Sequence, residues 1–450
     1  MPGGAGLCES VQYRARFVPE RRHRRLSMPG QGPLRICLLT YRGNPRSGGQ
    51  GVYVRLLSEA LRDLGHEVEV WSGQPYPELV EGVRLVELPS LDLWNEHALF
   101  RTPSLRELSD PINLVEWVQT RLGAFAEPQS FSRRVARRFR SPDQRGRFDI
   151  VHDNQCLGRG LLGLRTHVPV VATIHHPITV DRRIALENAK TRTQRFGLNR
   201  WYSFLDDQLT VSRKLDKILT VSEASRQDLQ REYEVPAERM RVVGNGINLD
   251  VFKPMPEIAR VPERLITTLS SDSPLKGFRY LLEALAMLKS KRPQLRLQVI
   301  GQPGHETGTD ERVRALGLTG IVEWTGRVTS EHIARAYAAS SVAVVPSLYE
   351  GFGFPAGEAM ASEVPVISSR GGALPEVVGE DGQCGVLVRP QSGEALAHAM
   401  DSLLDQPARR LAMGKAGRER VLREFTWRRA AERTVAAYRE AIEEHRVATC

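Results

Sequence analysis

The sequence predicts an α/β protein made of two Rossmann-like, doubly wound domains that face each other across a cleft. Three observations predict it. Short β-rich apolar runs alternate with amphipathic helical runs along the chain. The alternation breaks at "KPMPEIARVPE" (253–263), which carries three prolines and no apolar period, and then restarts. The chain of 450 residues is long enough for two full cores. The expected boundaries are a basic, disordered extension at 1–33, a first domain at 34–253 and a second at 254–427. A last helix at 428–445 closes the chain.

The first domain opens with the strand "LRICLLTY" (34–41), the glycine-rich loop "RGNPRSGGQG", the helix "VYVRLLSEALRDLG" and the strand "HEVEVWSG". That order belongs to a parallel sheet covered by helices. "FDIVHDN", "PVVATIHH" and "KILTVSE" continue it, each ending in polar residues, and ligands collect at such carboxyl ends. Residues 87–146 depart from the rhythm and read as helical excursions with a loop.

After the linker, "RLITTLSS", the helix "GFRYLLEALAMLKSKRP", the strands "LRLQVIG" and "VEWTG", the helix "SEHIARAYAAS" and the strand "SVAVVPS" repeat the pattern. "VPVISS" adds a strand, and three helical runs fill the chain from about 392.

The formal charge of +10 is concentrated in two places. Residues 1–34 hold six arginines against two glutamates, and Met28 lies just ahead of the first strand, so no function is assigned to 1–27. "FSRRVARRFRSPDQRGR" (131–147) holds seven arginines against one aspartate, with Phe131, Val135 and Phe139 at helical spacing. Such a helix either lies on an anionic membrane surface or packs as an outer helix of an α/β domain. No aromatic stacking platform accompanies the charge, which argues against nucleic acid.

No run approaches the roughly 18–20 apolar residues of a membrane span, and the start lacks a secretory core, so the expected location is the cytoplasm, with peripheral contact at the inner membrane face as the alternative. Five scattered cysteines without C-x-x-C spacing predict neither a disulfide framework nor a zinc site.

Neither G-x-G-x-x-G nor G-x-x-x-x-G-K-[ST] occurs, so hydride transfer and P-loop hydrolysis lose support. The chemistry concentrates instead in "YEGFGFPAGEAM" (349–360). Pro355 suits the start of a helix, and the glycines before it leave amides that can face phosphate oxygens. Glu350 falls on that loop and Glu358 in the first helical turn, where the helix dipole favours an ionised carboxylate that can accept hydrogen bonds from hydroxyls. Lys276, in "SDSPLKGF", can supply a cation for a diphosphate.

"YEGFGFPAGEAMA" with "GGALPEVVG", "PLKGFRYLLEAL" and "VSEASRQDLQREYEVPAERMRVVGNGINLDVF" resembles the retaining, nucleotide-sugar-dependent glycosyltransferases of glycosyltransferase family four, from about residue 34 to about 445. The resemblance implies the GT-B fold, a final helix crossing back onto the first domain, a nucleoside-diphosphate-sugar donor, a glycan, lipid-linked or small-molecule acceptor, and neither cofactor nor metal. It assigns Glu358 to the ribose, Glu350 to the transferred sugar and Lys276 to the diphosphate. It sets the amides of Gly351, Phe352 and Gly353 against sugar and phosphates, Gly49 against the diphosphate from the first domain, and Arg327 and Val328 near the base. His175, at the end of "TIHH", joins Glu350 and Lys276 as the third catalytic position.

Three departures stand out. Ser271 replaces the usual phosphate-binding arginine, Ser362 and Glu363 replace a small-Gly pair, and Asn248 replaces the aspartate of "NGID". The reaction implied is transfer with retention, in cell-envelope or exopolysaccharide synthesis, with both glutamates ionised. The alternatives are a phosphorylase or epimerase of the same fold, or a non-catalytic sugar-nucleotide-binding protein.

Overall fold

The computed structural model describes residues 32–44, 49–95, 101–269, 273–304 and 308–449. The predicted basic extension, as far as residue 31, and Ser271 lie outside them.

From Leu34 onward the chain builds two parallel sheets. The first has seven strands: β1 (Arg35–Thr40), β2 (Glu67–Ser72), β3 (Arg84–Glu87), β4 (Ile150–Asn154), β5 (Val170–Ile174), β6 (Lys217–Thr220) and β7 (Met240–Val242). They run in the order β3-β2-β1-β4-β5-β6-β7. The second has six: β8 (Arg264–Thr268), β9 (Arg296–Ile300), β10 (Val322–Gly326), β11 (Val342–Val345), β12 (Val366–Ser369) and β13 (Gly385–Val388), in the order β10-β9-β8-β11-β12-β13. Strand order reverses at β1/β4 and at β8/β11, the switch points where doubly wound sheets open a ligand crevice.

The central strands are buried on both faces. Ile150–Asn154 and Val170–Ile174 are buried at every position, as expected of strands covered by helices on both sides. Strands β3, β7 and β13 are the ones the apolar pattern does not announce. All three are sheet edges of three or four residues, and β3 is nowhere fully buried.

The last helix, Trp427–Thr449, packs on the first sheet rather than the second. Trp427, Ala431, Tyr438 and Ala441 join Ile36, Leu38, Val70 and Leu219 in one core. The Tyr438 hydroxyl lies 2.6 Å from His152 Nδ1, and the buried ammonium of Lys217 reaches Glu444 at 2.5 Å. A buried lysine needs such a partner, because its charge has been taken out of water.

Residues 105–139 form helices Leu105–Leu108, Pro111–Arg121 and Glu127–Phe139. On the basic helix, Phe131 and Val135 lie in the core with Trp71 and Phe148, and Phe139 packs at 5.2 Å from Trp71. This is the outer-helix arrangement: the apolar stripe faces the protein and is not open to a membrane interface. Four of the seven arginines have carboxylate partners, Arg134 with Glu116, Arg137 with Asp110, Arg138 with Asp143 and Arg147 with Glu69. Among the described residues no helix is long and apolar enough to cross a membrane.

Arg134 and Glu116 are both buried, and burial still pushes the Glu116 carboxyl above its ordinary value despite the guanidinium beside it. Arg134→Ala leaves that carboxyl without its cation. The expected cost is about 3–5 kcal/mol of stability, read as a lower urea midpoint, whereas Arg133→Ala on the exposed face should change it by less than about 0.5 kcal/mol.

Candidate active site

The carboxyl ends of the two sheets face one cavity of about 370 Å³. Residues 350–354 form its second-domain wall, while Tyr41, Gln50, Gln155, His175, His176 and Asp181 belong to the first-domain wall.

The loop after β11 is shaped by two glycines. Gly353 has φ 107° and caps the helix Phe354–Ala361, a backbone conformation open to glycine and costly to other residues. A methyl group on Gly351 would stand 2.6 Å from the carbonyl oxygen of His175. The bare backbone therefore lets the two domains touch. The Gly351 carbonyl accepts hydrogen bonds from Ser222 Oγ at 2.7 Å and Ser225 Oγ at 3.2 Å.

Glu350 is held rigidly. Its Oε1 accepts from Lys276 Nζ and from Ser347 Oγ, each at 2.8 Å, which leaves Oε2 for another donor. Lys276 itself ends the short helical turn Pro274–Lys276.

Glu358 differs from expectation in two ways. It sits in the second turn of its helix, fifth from the start, with Pro355 at the second position. Its side chain has partial access to solvent, yet the atoms crowded around it displace enough water to raise the carboxyl from 4.5 to about 7. Desolvation outweighs the helix dipole there, which fades beyond the first turn. No side-chain hydrogen bond meets this carboxyl among the described residues.

His175 lines the cavity and is neutral, its pKa lowered to about 3 by desolvation and then by His176. Its tautomer follows from its neighbours. Asn154 Nδ2 donates to the carbonyl of Gln50, so Asn154 Oδ1 faces His175 Nε2 at 2.8 Å and must accept from it. The proton is on Nε2 and Nδ1 keeps its lone pair. Gln155, with φ 53°, accepts from the His175 amide at 2.8 Å and donates to the His176 carbonyl at 2.9 Å. That backbone is uncommon for a non-glycine residue, and here it aims both ends of one amide at the histidine pair.

The remaining candidates separate. Phe352 is buried and stacks edge-on with Phe425 at 5.6 Å, so its backbone, not its ring, is what the cavity can use. Gly49 opens the helix Gly49–Asp63, next to the cavity residue Gln50. Arg327 and Val328 follow β10 away from the cavity; Arg327 is exposed and Val328 packs on the second-domain core. Lys276 and Glu358 do not line the cavity either, though Lys276 touches Glu350. Sequence reasoning missed Gln155, His176 and Asp181; for Gln155 and His176 the available signal was their position just after a strand end, whereas Asp181 lies in the first turn of the helix Ile178–Asn188 and carried none. Among the described residues no group of three or more His, Cys, Asp or Glu side chains is arranged to hold a metal.

The raised pKa of Glu358 has a thermodynamic sign. The folded protein holds this proton more tightly than the unfolded chain, so the contribution favours folding below pH 4.5 and is lost as pH rises through about 7. Glu358→Gln removes that loss. Its stability relative to the unaltered protein should increase between pH 5 and pH 8 by about 1–3 kcal/mol in denaturant titrations.

Two family models together match most of the chain. "Glycosyltransferase Family 4" matches residues 47–251, and "Glycosyl transferases group 1" matches 255–420. An MMP alpha-(1->4)-mannosyltransferase from Mycolicibacterium hassiacum is 45% identical over 420 residues, covering 93% of this chain and 100% of that protein. A D-inositol 3-phosphate glycosyltransferase from Kribbella flavida is 29% identical over 423 residues, covering 89% and 92%. Among solved structures, a sucrose-phosphate synthase from Thermosynechococcus elongatus superposes with a TM-score of 0.69 at 25% identity, covering 91% of this chain and 100% of that one. The chain belongs to glycosyltransferase family 4, has that family's two-domain GT-B architecture, and is a glycosyltransferase.

Proposed function

We propose that the protein moves a mannosyl group from a nucleoside-diphosphate mannose to a hydroxyl of a glycan, with retention at the anomeric carbon and without a metal. The observation that carries this reading is the 45% identity, along almost the whole chain, to a protein named an alpha-(1->4)-mannosyltransferase. In this reading residues 34–253 receive the acceptor, 254–427 hold the donor, and the helix at 428–445 belongs to the acceptor side.

The site geometry fits that chemistry. Glu350 Oε2 accepts from a hydroxyl of the transferred sugar, while Ser347 and Lys276 fix the carboxylate through Oε1. Lys276 has further N–H groups to turn toward the diphosphate, together with the amides of 351–353 and the N-terminus of the helix Phe354–Ala361. Glu358, lacking a protein partner, takes the ribose hydroxyls; Gly49 approaches the diphosphate from the first domain, and Arg327 and Val328 flank the base.

The acceptor oxygen attacks the anomeric carbon from the face the diphosphate leaves. The bond from that carbon to the phosphate oxygen breaks, and the acceptor proton passes to the departing phosphate. His175, neutral well below physiological pH, orients a hydroxyl by accepting its hydrogen bond at Nδ1 and does not relay the acceptor proton. Closure of the two walls excludes water, which would otherwise consume the donor. The Phe131, Val135 and Phe139 stripe faces the core, so membrane anchoring through it forms no part of this reading.

Thermal stabilisation by GDP, UDP, ADP and their mannose conjugates should single out one nucleotide. With that donor, Glu350→Ala and Lys276→Ala should each lower transfer by about 100-fold or more in folded protein; near-normal turnover overturns the role of that residue. Glu358→Ala should weaken the donor-induced stabilisation, and an unchanged shift removes Glu358 from the ribose.

A further inference from the structure

The first-domain wall of the cavity contains a second anchored histidine. His176 Nε2 lies 2.9 Å from Asp181 Oδ2. A carboxylate oxygen only accepts, so Nε2 donates to it and Nδ1 is the ring nitrogen left facing the cavity. His175 is anchored the same way, through Nε2 on Asn154. Adjacent residues are therefore both anchored through Nε2, and neither Nδ1 has a hydrogen-bond partner among the described residues. Both line the cavity, as does Asp181.

The charge of this wall is one-sided. Among the described lining residues there is no lysine or arginine, while Asp181 and Glu350 are both carboxylates. Lys276 neutralises Glu350 from the second domain. Asp181 instead pairs with the His176 imidazole, at 2.9 Å. Open ring nitrogens beside a carboxylate, in a lining whose described residues include no lysine or arginine, suit hydroxyl groups and disfavour an anion.

We infer that the His176–Asp181 pair is the acceptor-binding station of the cleft, and that it selects an uncharged sugar hydroxyl while rejecting a phosphomonoester-bearing acceptor. The inference rests on the mannosyl-transfer reading and goes further, because it names the chemical class of the acceptor. His176 touches a non-reacting hydroxyl of the acceptor sugar through Nδ1. Asp181 is a positioning residue that anchors the imidazole through Nε2 and supplies the excluding charge.

The two functions separate by substitution. Asp181→Asn keeps an oxygen that can accept from Nε2 and removes the charge; His176→Ala removes the contact itself. Steady-state transfer would be measured with α-(1→4)-mannobiose and with the same disaccharide carrying a 6-phosphate, using the nucleotide donor selected by thermal stabilisation.

The unaltered protein should favour the neutral acceptor in kcat/KM by about 100-fold, and Asp181→Asn should narrow that ratio by about tenfold or more. His176→Ala should raise KM for the neutral acceptor about tenfold while the donor KM moves by less than about twofold. A ratio unmoved by Asp181→Asn, or a preference of the unaltered protein for the phosphorylated disaccharide, overturns the inference with mannosyl transfer intact. Transfer to neither disaccharide overturns the mannosyl-transfer reading, and the inference with it.

Discussion

The active site depends on one close approach, the Gly351 backbone against the carbonyl of His175. At that point the loop of the second sheet meets the strand end of the first, at a separation no side chain at 351 could share. The approach is secured from both sides. Ser222 and Ser225 of the first domain donate to the Gly351 carbonyl, and Glu376 of the second caps the helix Glu223–Tyr233, accepting from the amides of Glu223 and Ala224 at 2.8 Å each. A carboxylate at a helix N-terminus satisfies orphan donors and meets the positive end of the dipole. Here that capping group comes from the opposite domain, so the seam also completes a helix. Tyr349 adds a third tie, donating to Asp228 at 2.8 Å.

Behind the seam, burial sets the protonation states. His175 and His152 are both kept neutral, each lowered to about 3 by desolvation. His152 bridges Thr173 at 2.7 Å and Tyr438 at 2.6 Å, and Thr173 in turn meets Tyr53 at 3.0 Å. This buried chain joins the strands under the cavity to the first and last helices of that domain. Its polar atoms have partners, which is the condition under which a buried network makes a core specific. Tyr53 also stands edge-on to His175 at 4.6 Å, so packing and hydrogen bonds restrict the imidazole together.

Legibility in the sequence follows burial and locality. The central strands and the helices of both sheets are readable because a parallel sheet covered on two faces demands continuous apolar runs. The edge strands β3, β7 and β13 are not, since short edges carry little of that signal. Within the site, Glu350 and the glycines around it lie on one segment and were legible as a unit. The pair His176 and Asp181 was not, because two ordinary surface-type residues gain meaning only when the β5 loop turns into the cavity. The upward shift of the Glu358 carboxyl is not legible for a related reason: helix position is local, whereas the crowding around it comes from distant residues brought into contact.

The crossing of the last helix has a consequence for how the molecule is made. The core of the first sheet includes Trp427, Ala431, Tyr438 and Ala441, and Lys217 finds its carboxylates at Glu440 and Glu444. On the ribosome, residues 35–242 are complete long before those partners emerge, so the first domain waits with one helix-wide apolar face open and a buried-site lysine unpaired. Domains usually mature in the order of synthesis. In this chain the second domain can close its own core before the helix Trp427–Thr449 completes the first.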